Sequence, residues 1–297
     1  MKATVTNIGG KLSNEIANIN ATDATASIGA LLLGAGKINA SDAERIIALQ
    51  KQEGLRFGDA AKALGLINDD DIHKALSHQF DFPILTASDE HFSRELIAAY
   101  QPFSAQVEAL RVVRHQLMLR WFVDVNKSLA LVSPSRNEGR SYIAANLAIV
   151  FSQLGERTLL IDADFRQPRQ HSLFKLTGGY GLSDVLAGRA DLTVVTQPTA
   201  FRDLSVLPAG TVPPNPGELI SRGLKNCLQQ LQIQFDVILV DTPSAEQGID
   251  AQIIAFLCGG ALLVARQDKT RLTDLQLLNE ALRDMGNHRL GAVLTDF

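Results

Sequence analysis

The sequence predicts two unequal parts, a small helical domain followed by a larger α/β domain. Three observations carry this. A block of 24 residues recurs within the first eighty positions, with helix and turn signals in both copies. Further on, apolar strand-like runs at 129–133 (LALVS), 157–162 (RTLLID) and 235–241 (FDVILVD) end in polar loops. Helical patterns alternate with them, which is the α/β signature. The 297 residues also exceed one typical domain of roughly 150.

The composition, 46% hydrophobic and 20% charged with 22 Gly and 10 Pro, excludes a disordered chain, a collagen-like rod and a long coiled coil. A net charge of −4 gives no global electrostatic case for nucleic acid as a partner. Cys227 and Cys258 cannot form a disulfide framework and read as small buried hydrophobes. The longest apolar stretch, 251–265, is broken by Gln252 and by Gly259 and Gly260, and is short of the roughly 20 residues that span a bilayer. It reads as a helix end, a turn and a buried strand. The polar start at 1–20 has no leader-like apolar core. The expected location is cytoplasmic, peripheral to the inner membrane only through a partner.

The repeat sets residues 27–50 over 56–79. Gly29 matches Gly58, Gly36 matches Gly65, Ile38 and Asn39 match Ile67 and Asn68, Asp42 matches Asp71, and Gln50 matches Gln79. Each copy reads as a short helix, a glycine turn, an Asn or Asp N-cap and an amphipathic helix. Asn68 and Asp69 are the expected caps, with Ile72, Ala75, Leu76 and Gln79 on one helix face. The predicted organisation is a flexible N-terminus at 1–25, a helical domain at 26–86, a linker at 87–103 and an α/β domain at 104–297. The pattern R-[LF]-G, two residues, Leu or Ala, then G-L-I and a helix ending in Gln resembles the N-terminal domain of type II secretion and pilus ATPases. Some of these bind cyclic di-GMP. The resemblance implies Arg56, Gly58, Gln50 and Gln79 as candidate ligands of that dinucleotide; Ser27 and Lys37 depart from the pattern in the first copy. The alternative is a docking domain that keeps the hairpins without a ligand.

Beyond Pro102 an amphipathic helix is expected over 104–121, preceded by a helical stretch at 93–100. Glu108, Arg111 and Arg114 lie along one inclined row of the longer helix. Such a row serves as intrahelical ion pairs on a solvated face, or as an oligomerisation motif.

Between the strand at 129–133 and a helical pattern from Ala144 lies PSRNEGRS at 134–141. Against G-x-x-x-x-G-K-[ST], Gly139 and Ser141 match, while Pro134 and Arg140 depart. A strand, a loop and a helix N-terminus make a phosphate site. Backbone N–H groups around Asn137, Glu138, Gly139, Arg140 and Ser141 would cradle the β-phosphate, with the Ser141 hydroxyl on Mg²⁺. Downstream, one apolar strand delivers Asp162 and Asp164, and another delivers Asp241. Carboxylates at strand ends suit a hard Mg²⁺ that bridges phosphates.

In this order, S-x-x-x-x-E-G-[KR]-S, L-I-D-A-D-x-R-x-P, A-G-x-x-P-P-N-P-x-E-L (209–219) and D-V-I-L-V-D-T-P resemble the bacterial tyrosine kinases (BY-kinases). The narrower resemblance is to the exopolysaccharide chain-length-determinant kinases. It covers 104–297 and implies a mostly parallel sheet of the MinD/ParA-like P-loop type, with ATP and Mg²⁺ as cofactors. It implies Asp162 as the residue activating a tyrosyl hydroxyl, with Asp164 and Asp241 around the metal and Arg140 on the phosphates. It also implies a ring built through Glu108, Arg111 and Arg114, and a membrane-embedded chain-length protein as partner.

Four features depart from the family pattern. Arg140 replaces a compact ammonium, Asn137 stands where glycine is usual, and Tyr142 could cover the α-phosphate. A tyrosine-rich tail is expected and not found; the chain has only Tyr100, Tyr142 and Tyr180. A kinase of this kind would act mainly on another protein. The alternative is a nucleotide-binding scaffold that switches assembly without phosphoryl transfer. A partitioning ATPase is disfavoured, because Arg136 does not make the K-G-G-x-G-K signature.

Overall fold

The computed structural model describes residues 28–68, 71, 72, 75, 85, 91–123 and 125–296, and it divides into two compact units, 1–84 and 85–297.

The first unit contains helices α1 (Ile28–Gly34), α2 (Ala40–Glu53) and α3 (Phe57–Ala63). Its repeat has a physical reason at nearly every matched position. Asn39 starts α2 with a reciprocal capping box: the Asp42 N–H donates to Asn39 Oδ1 at 2.9 Å, and the Asn39 N–H to Asp42 Oδ2 at 3.1 Å. Asn68 and Asp71 repeat this at 2.9 and 3.2 Å. Ile38 and Ile67 are buried with Leu32 and Ile46 in one core. Gly36 and Gly65 take φ of +66° and +68°, the left-handed turn that glycine accepts without cost. Gly29 and Gly58 are close-approach positions: a Cβ would meet the Phe57 ring at 3.1 Å and Ile72 Cδ1 at 3.0 Å, respectively. Lys37, one of the two departures in the first copy, pairs with Asp71 at 2.9 Å and ties the first copy to the second. Asp69, Leu76 and Gln79 lie outside the described residues.

The second unit runs α4 (Ile97–Tyr100), α5 (Ala105–Arg120), β1 (Ser128–Val132), α6 (Arg140–Ser152), β2 (Thr158–Asp162), α7 (Gln170–Leu173) and α8 (Leu182–Leu186). It continues β3 (Leu204–Leu207), α9 (Pro216–Gln234), β4 (Val237–Asp241), α10 (Asp250–Cys258), β5 (Gly260–Arg266), α11 (Leu272–Asp284) and β6 (His288–Thr295). The six strands form one all-parallel sheet in the order β3-β2-β4-β1-β5-β6. Because both faces are covered, the inner strands are near-continuous apolar runs whose alternate residues enter different cores. Leu129 and Leu131 pack with Leu110 and Leu117 of α5 and with α6, whereas Ala130 and Val132 pack with Leu228, Ile254 and Leu278 of α9, α10 and α11. The stretch 251–265 resolves as expected into a helix end, a turn and a buried strand.

Two expectations need correction. The stretch read as a linker is part of the α/β unit: Phe92, Leu96, Ala98 and Ala99 are buried in its core, and of its described residues only 97–100 are helical. The buried Asn146 of α6 fixes this stretch by accepting from the Ala98 N–H at 2.9 Å and donating to Glu95 O at 2.9 Å. Arg114 is not on a solvated face. Each i to i+3 step turns about 60° back around a helix, so two steps carry the row from the exposed Glu108 into the core. There Arg114 Nη1 donates to Val150 O at 2.9 Å, and burial, with the charge of Arg111, lowers its proton affinity. Glu108 and Arg111 pair with each other at 2.9 Å.

Candidate active site

β1 is central, with β4 and β5 as its neighbours. The chain leaves β1 into α6 on one face and β4 into α10 on the other, so a crevice opens at the carboxyl ends of these strands. A cavity of about 420 Å³ lies there, walled by the 136–142 loop, Asp164, Gln167 to Arg169, Glu95 and Arg266.

The loop from β1 to α6 has the form of a phosphate cradle. Asn137 sits at φ +58° and Gly139, the N-cap of α6, at φ +93°. Asparagine is the residue other than glycine that best tolerates this region, which accounts for its presence in a glycine position. The first residues of α6, Arg140 to Tyr142, line the cavity, and the N-terminus of a helix favours an anion. Arg140 is buried and turned into the loop. Its Nε–H donates to Thr242 O at 2.9 Å, its Nη1 to Ser135 O at 3.0 Å and to Ser133 Oγ, and its Nη2 lies 3.8 Å from Asp164 Oδ2.

The three sequence-predicted carboxylates come together at the ends of β2 and β4, where Asp162 and Asp241 are register partners. They do not share one role. Asp162 is fully buried and caps the turn that follows it, accepting from the N–H groups of Asp164 at 3.2 Å and of Arg169 and Gln170 at 2.9 Å each. Burial and then the neighbouring Asp241 charge hold its proton affinity well above that of an ordinary carboxyl. Asp164 is the carboxylate that walls the cavity, and its Oδ1 accepts from the N–H groups of Arg166 and Gln167. Asp241 Oδ2 accepts from Gln170 Nε2 at 2.8 Å, while its buried Oδ1 has no partner. Burial raises its proton affinity too, against the opposing charge of Arg140 and the polar groups of Ser141 and Gln170.

Of the other expected residues, Ser141 lies at the head of α6, and Tyr142 is half-buried on the cavity wall with its phenol raised, chiefly by burial. The Glu138 side chain does not face a ligand, since both carboxylate oxygens are bonded within the protein. Gln170 was not singled out in the sequence. It spans α7, Ser141 O at 3.1 Å and Asp241. Glu95 and Arg169 were missed as well, and pair across the cavity rim at 2.8 Å. In the helical unit Arg56 is the exposed N-cap of α3, Gln50 O accepts the Gly54 N–H, and Gly58 is occupied by helix packing.

A phosphate cradle at the centre of an all-parallel sheet, with acidic residues at the neighbouring strand ends, defines a P-loop α/β protein of the MinD/ParA-like type. Solved structures agree. The kinase domain of Escherichia coli tyrosine kinase Etk superposes with a TM-score of 0.66 at 30% identity, over 71% of this chain and 84% of that one. The chimerical protein CapA2B2 gives 0.64 at 30% identity, over 75% and 97%. MinD of Pyrococcus horikoshii, complexed with Mg-ADP, gives 0.50 at 25%, over 57% and 69%. No family model matches the chain. Among curated proteins, the tyrosine-protein kinase YwqD of Bacillus subtilis is 35% identical over 202 residues, 68% of this chain and 85% of YwqD. The chain belongs to the bacterial tyrosine-protein kinases. Among the described residues, no helix is long and apolar enough to cross a membrane.

Proposed function

We propose that the chain is an ATP- and Mg²⁺-dependent protein-tyrosine kinase that regulates exopolysaccharide polymerisation and chain length together with a membrane-embedded chain-length protein. The observation that carries the cofactor assignment is Asp241 Oδ1, buried and unpartnered at the end of β4. A buried carboxylate oxygen without a donor calls for a cation or its water. Ser141 and Asp241 would hold the metal, which leaves Asp164 free for the proton, and Mg·ATP when bound supplies the phosphoryl group. The loop amides from Asn137 to Ser141 bind and orient the phosphates. Arg140 keeps positive charge beside the carboxylates, and Tyr142, with Arg169 and Glu95 opposite, narrows the entrance to water. Asp164, on the cavity wall, is placed to take the proton of an incoming tyrosyl hydroxyl, and Asp162 behind it shapes the turn that presents it. This reassigns the base role that the resemblance gave to Asp162.

Labelled ATP, the purified full chain and its membrane partner test the proposal. Transfer to tyrosine should fall about 100-fold in Asp164→Asn with the thermal midpoint preserved. Nucleotide binding without any transfer would leave the scaffold reading, which the inward turn of the Arg140 side chain favours.

Assembly is proposed through Glu108 and Arg111 alone, since Arg114 is committed to the core. Light scattering of the double variant Glu108→Ala, Arg111→Ala should give a smaller particle than wild type; equal masses would refute the assignment. For the helical unit, the packing roles of Gly29 and Gly58 favour a docking domain over a cyclic di-GMP site built around Arg56.

A further inference from the structure

Glu138 is a carboxylate inside a loop built to receive phosphate, where a free negative charge would repel the ligand. Its bonding shows where that charge goes. Oε2 accepts from the Ser135 N–H of the same loop at 2.8 Å. Oε1 accepts from the Thr270 hydroxyl at 2.6 Å, and Thr270 lies 132 residues away between β5 and α11. Thr270 Oγ1 in turn accepts from the Arg266 N–H at 2.7 Å, which fixes its hydroxyl proton toward Glu138. The same segment reaches the loop twice more. Lys269 Nζ donates to Arg136 O at 2.7 Å and Asn137 O at 3.2 Å, and Arg266 Nη1 donates to Asn137 O at 3.2 Å. From β6, the Thr295 hydroxyl donates to Glu138 O at 3.1 Å.

We propose that Glu138 is a positioning residue, which through Thr270 ties the phosphate loop to the end of β5 and so sets the left-handed turn at Asn137 in which the loop amides converge. The loop is the one segment of the site that must hold an unusual backbone conformation before any ligand arrives, and a preorganised cradle binds more tightly than one ordered on binding. Glu138 and Arg266 line the cavity, but Thr270, the far end of the tether, is not part of its wall. That it serves Mg-nucleotide rests on the kinase assignment above; that it orders the loop does not.

Thr270→Val removes the hydroxyl and leaves the phosphate loop sequence intact, and Thr270→Ser restores the hydroxyl. Calorimetric titration of the full chain with Mg·ADP should show about tenfold weaker binding in Thr270→Val and a constant close to wild type in Thr270→Ser. With Mg·ATP the loss should fall on KM and leave kcat within a small factor, as for uniform binding. Amide exchange in the nucleotide-free protein separates the two levels. Exchange across 134–140 should rise in Thr270→Val and return in Thr270→Ser, whether or not the chain transfers phosphate, while α9 stays protected. Unchanged exchange across 134–140 in Thr270→Val would overturn the tether, as would equal losses of binding in both variants.

Discussion

Replacing Arg140 by alanine should unfold the site before it disables it. The guanidinium joins the β1 loop, at Ser133 and Ser135, to the end of β4, at Thr242, and stands 3.8 Å from Asp164. Removing it leaves Asp162, Asp164 and Asp241 buried around an uncompensated negative field and takes the Arg140 donor from Thr242 O, while Ser135 O keeps the Ser133 hydroxyl. Breaking one partner of a buried charged network costs about 3–5 kcal/mol. At about 2–4 °C per kcal/mol for a domain of this size, the thermal midpoint should fall by roughly 6–20 °C. Nucleotide-dependent activity should fall by at least about 100-fold, the usual effect of losing one charge-stabilising group. Arg140→Lys discriminates between charge and fork. An ammonium restores the charge but cannot reach Thr242 O and Ser135 O together, so it should recover part of the activity and little of the stability. A lysine variant as stable as wild type would show that the fork is dispensable.

The second large effect sets two buried carboxylates against each other. Asp162→Ala deprives three backbone amides of their acceptor, two of them buried, and should cost about 3 kcal/mol, with Asp162→Asn intermediate. Asp241→Asn should do the reverse in the ligand-free protein. Its amide oxygen can keep the bond from Gln170, and one of two facing charges is gone. The sign with pH follows from the raised proton affinity of both groups. Their contribution to stability is fullest below the unfolded-state value of about 4 and is lost as pH rises through the higher folded values. The stability of Asp241→Asn relative to wild type should therefore grow as pH rises from 4 to 8. Thermal midpoints across that range measure it, and a gap that shrinks with pH would contradict the assignment.

How much of this was legible in the sequence depended on distance along the chain. The turn and cap signals of the repeat, the strand-loop-helix at 129–148 and the acidic strand ends are local patterns, and each appears where expected. What sequence reasoning missed is what only the tertiary structure brings together. Glu95 meets Arg169 from 74 residues away, and Gln170 meets Asp241 from 71. No residue type or spacing marks such pairs. Asp162 was legible as a strand-end carboxylate, but not its orientation into the following turn, because that depends on α7 starting at Gln170. Arg114 was misplaced for a related reason: a spacing of three names a row on a helix without saying how much of that row the body covers.

The three tyrosines differ in what the fold allows them. Tyr100 donates its hydroxyl to Phe92 O at 3.2 Å under the Arg94 guanidinium, and Tyr142 is part of the cavity wall. Tyr180 stands 59% exposed beside Gly181, whose backbone is lodged too tightly against Pro208 and Gly210 for any side chain. Of these three tyrosines, then, one is displayed, next to a glycine that the fold holds tightly. A mark placed on these residues by a kinase would be binary, present or absent at Tyr180.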